Sequence, residues 1–212
     1  MIVNSEDIAM SEKLRKKIIC GKNELIDCFP HERRNQNSWI EIYHSKGINF
    51  ASVADIYNSS KFFDKETLEK IRNYFCGNYL ICSTVLIYKN KRAKIIHNYY
   101  NEMIPKFGTN FIDIPKYKKD KVCLKEILST KIGINFVRLL FNTNDSPENI
   151  VSTLVSLSGK NKDKLFFYFP YIKSKDEYKK TAVWMGYDYE DLIVDCNVDP
   201  DENYGGISLG LL

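Results

Sequence analysis

The spacing of apolar residues changes along the chain, and each change marks an element. Leu68, Ile71 and Phe75 share one helical face behind Asp64, which suits an N-cap, and Gly77 suits the stop. From Tyr79 to Tyr88 the chain is β-branched and aromatic. Lys89, Asn90 and Lys91 interrupt it. Ala93, Ile95, His97 and Tyr99 then resume with alternation, so a β-hairpin is predicted. A short strand is expected over 110–114 and a short helix over 122–128, before Gly133. Residues 134–141 are apolar on both faces apart from Asn135 and Arg138, the pattern of a central strand. Ser146 and Pro147 supply an N-cap and a first-turn proline. The helix they open has Ile150, Val151, Leu154, Val155 and Leu157 on its stripe, and Gly159 stops it. Residues 165–169 read as a short apolar strand. Ser174 and Glu177 have capping-box spacing. They predict a second helix with Tyr178, Ala182 and Met185 on one face and Gly186 at its C′ position. A strand over 187–194, a turn over 200–206 and a strand over 207–211 complete the order.

The N-terminal part is less regular. A helix is expected from Asn4 or Ser5, with Lys13, Arg15, Lys16 and Lys17 near its end and Gly21 as its stop. Residues 30–60 are polar and weakly periodic, and predict loop with at most one short strand, near 39–43. The whole reads as an α+β fold, one mixed β-sheet flanked by helices. Strands 134–141 and 165–169 should be parallel, being joined through a helix, and the last two antiparallel, being joined through a turn. The chain divides into a partly irregular N-terminal extension, 1–60, and a domain over 61–212.

Composition narrows the class. The chain has 212 residues, 44% of them hydrophobic, enough for a real core. A net charge of +4 is far from that of a nucleic-acid-binding tail. Lys89, Lys91, Arg92 and Lys94 form one basic cluster, and Lys116, Lys118, Lys119 and Lys121 another; a hairpin turn and a solvated loop account for both. The cysteines at 20, 28, 76, 82, 123 and 196 lack CxxC spacing and lie in or beside apolar runs, as buried free thiols do. The polar, acidic N-terminus does not look like a signal peptide, and no apolar run has the length of a membrane span. A reducing cytosol or nucleus is the expected compartment, with neither nucleic acid nor membrane as partner.

The order of strands and helices resembles the C-terminal half of the GNAT acetyltransferase fold. That chemistry needs backbone N–H groups and glycines before a helix, to hold a pyrophosphate. The family signature, Gln/Arg-x-x-Gly-x-Gly/Ala, has no match here. Gly205, Gly206 and Gly210 sit near the C-terminus with no helix after them. A P-loop is absent. His31, His44 and His97 lack metal-ligand spacing. Cys82 and His97 face each other across the expected hairpin as a conceivable nucleophile and base, but no third orienting group accompanies them. Asp195, Asp199, Asp201 and Glu202 read as a solvated acidic turn. No catalytic residue, cofactor or metal is expected.

From about Val122 onward the chain resembles the conserved domain of ornithine decarboxylase antizyme. Leu124-Lys125-Glu126-Ile127-Leu128, then Gly133, lead into Ile134-Asn135-Phe136, where the family has W-x-x-V-L-x-G-G before a strand. A Ser-capped helix follows at Ser146 with Val151, Leu154 and Leu157, then the apolar run Leu165-Phe166-Phe167-Tyr168-Phe169. Lys173, Lys175, Asp176 and Glu177 open the next segment, and Met185-Gly186-Tyr187-Asp188 close it like the family's Leu-Gly-Phe-Glu. Ala54-Asp55-Ile56 is similar to the segment at which antizyme messages shift reading frame. The resemblance implies an acetyltransferase-like domain without its cofactor loop. It also implies a regulator that binds ornithine decarboxylase, blocks its homodimer and directs it to the proteasome without ubiquitin, so controlling polyamine levels. Ser146, Glu148, Lys173, Lys175, Asp176 and Gly186 are the implied partner contacts. Three features depart from the family: Pro147 replaces a lysine, Val155, Ser156 and Ser158 replace acids, and the region from about Lys61 to Ile114 is longer than in the common animal forms. The alternative is a divergent N-acetyltransferase using acetyl-CoA.

Overall fold

The computed structural model describes residues 16–18, 25–27, 33–76, 79–89, 92–99, 111–115, 117, 120–169, 179–201 and 206–211. Strands β1 (Lys16–Ile18) and β2 (Leu25–Asp27) come first, then helix α1 (Gln36–Ser45), β3 (Asn49–Phe50), α2 (Val53–Ser60) and α3 (Lys65–Phe75). The hairpin β4 (Tyr79–Lys89) and β5 (Arg92–Ile96) follows, with β6 (Ile112–Asp113) and β7 (Lys121–Cys123). Next stand helices α4 (Leu124–Ile127), α5 (Lys131–Leu140) and α6 (Pro147–Ser158), and a 3-10 turn (Lys162–Lys164). Strands β8 (Leu165–Tyr168), β9 (Lys179–Asp188), β10 (Asp191–Val198), β11 (Ile207–Ser208) and β12 (Gly210–Leu211) complete the order.

The fold is α+β, a curled mixed sheet flanked by helices. The larger sheet runs β6-β5-β4-β9-β10-β8-β7, with β11 beside β4. The pairs β8–β10 and β4–β11 are parallel and the rest antiparallel. The smaller sheet runs β1-β2-β12-β3. Successive strand residues point to opposite faces, so β4 feeds two cores. Leu80, Cys82, Leu86 and Tyr88 join Val183 and Met185 of β9 against residues of α2 through α6. Ile81, Val85 and Ile87 join Ala182 and Trp184 against Trp39, Ile40 and Tyr43 of α1. Phe75 and Phe136 are among the side chains fully buried in the first core.

Several expected elements hold. Asp64 caps α3, the β4–β5 hairpin pairs from Val85↔Ile96 to Lys89↔Arg92, and Ser146 caps α6. Gly159 ends α6 in the left-handed region at φ 67°, as a C-terminal glycine does. The short strands at β6 and β8 and the short helix α4 also form.

Other elements form differently. The expected loop over 30–60 is mostly helix where described. Asn35 caps α1 by accepting from the Ser38 amide, and Gln36, Trp39, Ile40 and Tyr43 make a buried face at helical spacing. Ser52 and Asp55 form a reciprocal capping box at the start of α2. The expected central strand over 134–141 is helix α5. Thr130 caps it, Gly133, Phe136, Val137 and Leu140 are its buried side, and exposed Ile132 and Leu139 gave the segment its strand-like, two-sided apolarity. The expected helix ending at Gly186 is strand β9. Both of its faces are covered, so no polar alternation marks it. Ser174 and Glu177 lie outside the described residues. The final strands do not pair with the 187–194 segment, whose strand begins at Asp191. Instead β11 lies parallel to β4, and β12 joins β2 and β3. Residues 16–18, expected at the end of a first helix, are strand β1. Among the cysteines, Cys82 and Cys196 are buried free thiols, whereas Cys76 is exposed.

Candidate interaction surface

Helix α6 is held at both ends. At its start, the Tyr57 hydroxyl donates to an Asp145 carboxylate oxygen at 2.8 Å, and the Lys61 ammonium lies 2.7 Å from the same oxygen. Arg138 Nε donates to the Asp145 carbonyl at 2.9 Å, and Asn58 donates to the Phe141 carbonyl at 2.9 Å. Burial would raise the Asp145 pKa, but its hydrogen bonds from Lys61, Tyr57 and Thr143 hold it below the ordinary carboxylate value. Ser146, next in the chain, is thereby fixed as the cap, with its hydroxyl accepting from the Asn149 amide. At the other end, Arg72 of α3 donates to the Leu157 and Ser156 carbonyls, and the Tyr187 hydroxyl to the Ser158 carbonyl. These carbonyls belong to the helix's last turn, which lacks intrahelical donors.

The inner side of α6 buries Ile150, Leu154 and Leu157. Val151 and Val155, one step round the helix, stay half-buried and border a groove of about 820 Å³ shared with α4 and the 3-10 turn. Leu128 and Pro147 complete its apolar walls. Lys125 and Lys162 stand exposed at the groove, with Glu148 as its one acid among the lining residues. The Glu148 pKa is lowered by a backbone N–H and then by the Ser146 hydroxyl, so it is ionised at neutral pH. Neither Lys125 nor Lys162 has a carboxylate partner among the described residues. Lys164 and Lys121 do: Lys164 lies 3.5 Å from Asp191, and Lys121 lies 2.9 Å from Asp191 and 3.3 Å from Asp188.

The sequence-predicted site residues part company. Ser146 and Glu148 meet at one end of this groove. Gly186 lies mid-strand, between Tyr79 of β4 and Ile193 of β10. Lys173, Lys175 and Asp176 lie outside the described residues. Lys125, Leu128 and Lys162 were missed as site residues. The available signal was the breadth of the α6 stripe, whose five apolar positions cover more surface than the core takes.

A second polar centre lies inside the fold. Between Ile81↔Trp184 and Val85↔Ala182 the β4–β9 register shifts, leaving backbone groups of β4 without β9 partners. Gln36 Nε2 donates to the Cys82 and Thr84 carbonyls, and the Ser83 amide donates to the Ala51 carbonyl at 2.9 Å. The bulge is thus filled by protein groups. His97 turns to Thr84, 3.1 Å away, and to the Leu139 carbonyl, so it does not pair with Cys82 as a nucleophile's base. Burial, with the nearby Asp55 charge, pushes the Cys82 thiol well above its ordinary range, which suits an inert thiol. Among the described residues, no three His, Cys, Asp or Glu side chains gather as a metal site. Asp195 and Asp201 instead accept backbone amides from Asn197 and share contacts with Asn37, respectively. Comparison with protein-family models, with curated proteins and with solved structures finds no match for this chain.

Proposed function

We propose that the protein is a non-catalytic binding module that takes a segment of a macromolecular partner into the groove between α4 and α6. The observation that carries this reading is an apolar groove, bordered by cations without carboxylate partners among the described residues, on a helix clamped at both ends. A surface held in place beforehand loses little conformational entropy on binding. The partner implied by the resemblance is ornithine decarboxylase, with release to the proteasome as the outcome. Two of its elements support that choice, the Ser-capped helix α6 and the aromatic strand β8. Helix α5 and strand β9 depart from it. The test is titration of active ornithine decarboxylase homodimer with this protein, read by gel filtration and by decarboxylase rate. A heterodimer with loss of activity is expected. An unchanged dimer at micromolar protein removes the decarboxylase as partner. Acetyl-CoA is expected to leave the melting temperature unchanged, whereas binding at a hundred times its Kd would add about 2.7 kcal/mol and redirect the reading to an enzyme.

A further inference from the structure

We infer that the occupant of the α4–α6 groove is an amphipathic helix whose apolar stripe is flanked by acidic residues. The inference rests on the binding-module reading and names the chemistry of its partner.

Three features of the groove argue for it. Its walls are side chains, not free backbone: Val151 and Val155 project from one helix, Leu128 follows another, and Pro147 closes one end. An extended peptide gains most of its affinity from main-chain hydrogen bonds to a strand edge, which helix walls cannot offer; a helix gains it from apolar anchors at i, i+3, i+4 and i+7 laid into such walls. The volume, about 820 Å³, fits a row of such anchors. Charge supplies the flanks. Lys125 on α4 and Lys162 on the 3-10 turn are exposed beside Glu126 and Asp163 in the chain, yet neither makes an ion pair among the described residues, whereas Asp188, Asp191 and Glu190 are engaged by Lys121 and Lys164. Carboxylates on an incoming helix would find there two cations that make no ion pair among the described residues. Glu148, ionised at the Pro147 end, disfavours acid on that side and so orients the helix.

The test uses two fluorescein-labelled peptides of about 15 residues, near the lower limit for a stable isolated helix. Both carry leucines at i, i+3, i+4 and i+7. One bears glutamates beside that stripe and the other lysines. Anisotropy with the full-length protein should show the glutamate peptide binding about tenfold tighter or more, with the gap narrowing as salt is added. Lys125→Glu with Lys162→Glu should erase that gap without changing the melting temperature, because both side chains are exposed. Val151→Arg should weaken both peptides. Equal binding of the two peptides, or an undiminished gap in the double lysine variant, overturns the inference. Binding to anionic vesicles that exceeds peptide binding and is lost in the lysine variant also overturns it, in favour of a lipid surface. If ornithine decarboxylase binds, Val151→Arg abolishes that complex, and the glutamate peptide does not bind, the inference falls while the binding-module reading stands. If neither the decarboxylase nor any peptide binds, both fall.

Discussion

The Thr84 hydroxyl stands 3.1 Å from Nδ1 of His97 and donates to it. The Leu139 carbonyl, 3.2 Å from Nε2, can only accept, so Nε2 carries hydrogen and donates to it. In the neutral ring Nδ1 is then the acceptor, and the Thr84 hydroxyl, which accepts from the Val53 amide at 3.0 Å, donates to it. One neutral imidazole so joins β4, the start of α2 and the end of α5.

Burial holds the His97 pKa below the ordinary value, against the Leu139 carbonyl and the Asp55 charge, which raise it. A lowered folded pKa means that the unfolded chain takes up the proton first. The stabilisation is complete above the unfolded value, about 6.5, and is lost as pH falls from there through the folded value. Urea unfolding from about pH 7.5 to 5 should therefore show wild type losing more stability than His97→Gln. Parallel losses in the two proteins would remove His97 from this role.

Gln36 is fully buried, and its amide donates to the Cys82 carbonyl at 2.6 Å and the Thr84 carbonyl at 2.9 Å. Gln36→Leu leaves both carbonyls unpaired and should cost about 2–4 kcal/mol in urea denaturation. Gln36→Glu should cost more at neutral pH, because a carboxylate would face two carbonyl oxygens. Its carboxyl pKa would be raised in the fold, so this variant should regain stability as pH is lowered through that value. An equal loss at all pH values would contradict the geometry.

Gly133 sits in the first turn of α5, where alanine would ordinarily favour helix by about 1 kcal/mol. Here a β-carbon would run into the carbonyl oxygen of Ile127, which is backbone and cannot swing aside. Gly133→Ala is expected to destabilise by about 2–4 kcal/mol, measured by chemical denaturation. A neutral or stabilising result would mean that α4 and α5 are not packed this closely.

Tyr189 is 97% exposed and takes φ 54° at the tip of the β9–β10 hairpin, where Asp188 pairs with Asp191. The left-handed region costs a side-chain-bearing residue roughly 1–2 kcal/mol, and glycine avoids that at some cost in unfolded-state entropy. Tyr189→Gly should raise stability by about 0.5–1 kcal/mol, and Tyr189→Val should lower it. A lower melting temperature for the glycine variant would mean that the ring itself stabilises the hairpin.

By itself the sequence determined the elements whose signals are local. Asp64, Ser146 with Pro147, and Gly159 mark helix ends through side-chain caps or a permitted backbone angle, and the β4–β5 pairing follows from two apolar runs adjacent in the chain. The tertiary structure decided the rest, because the relevant environment comes from distant residues. Val183 and Trp184 face opposite cores, so β9 shows no alternation in its own letters. Helix α5 exposes Ile132 and Leu139 while burying Phe136 and Leu140, which blurs its period. The groove is the clearest case. Val151 and Val155 read as core from their spacing, and only the placement of α6 across the groove from α4 and beside the 3-10 turn leaves them half-open between Lys125 and Lys162, because a helix buries the side its neighbours reach and leaves its flanks to solvent.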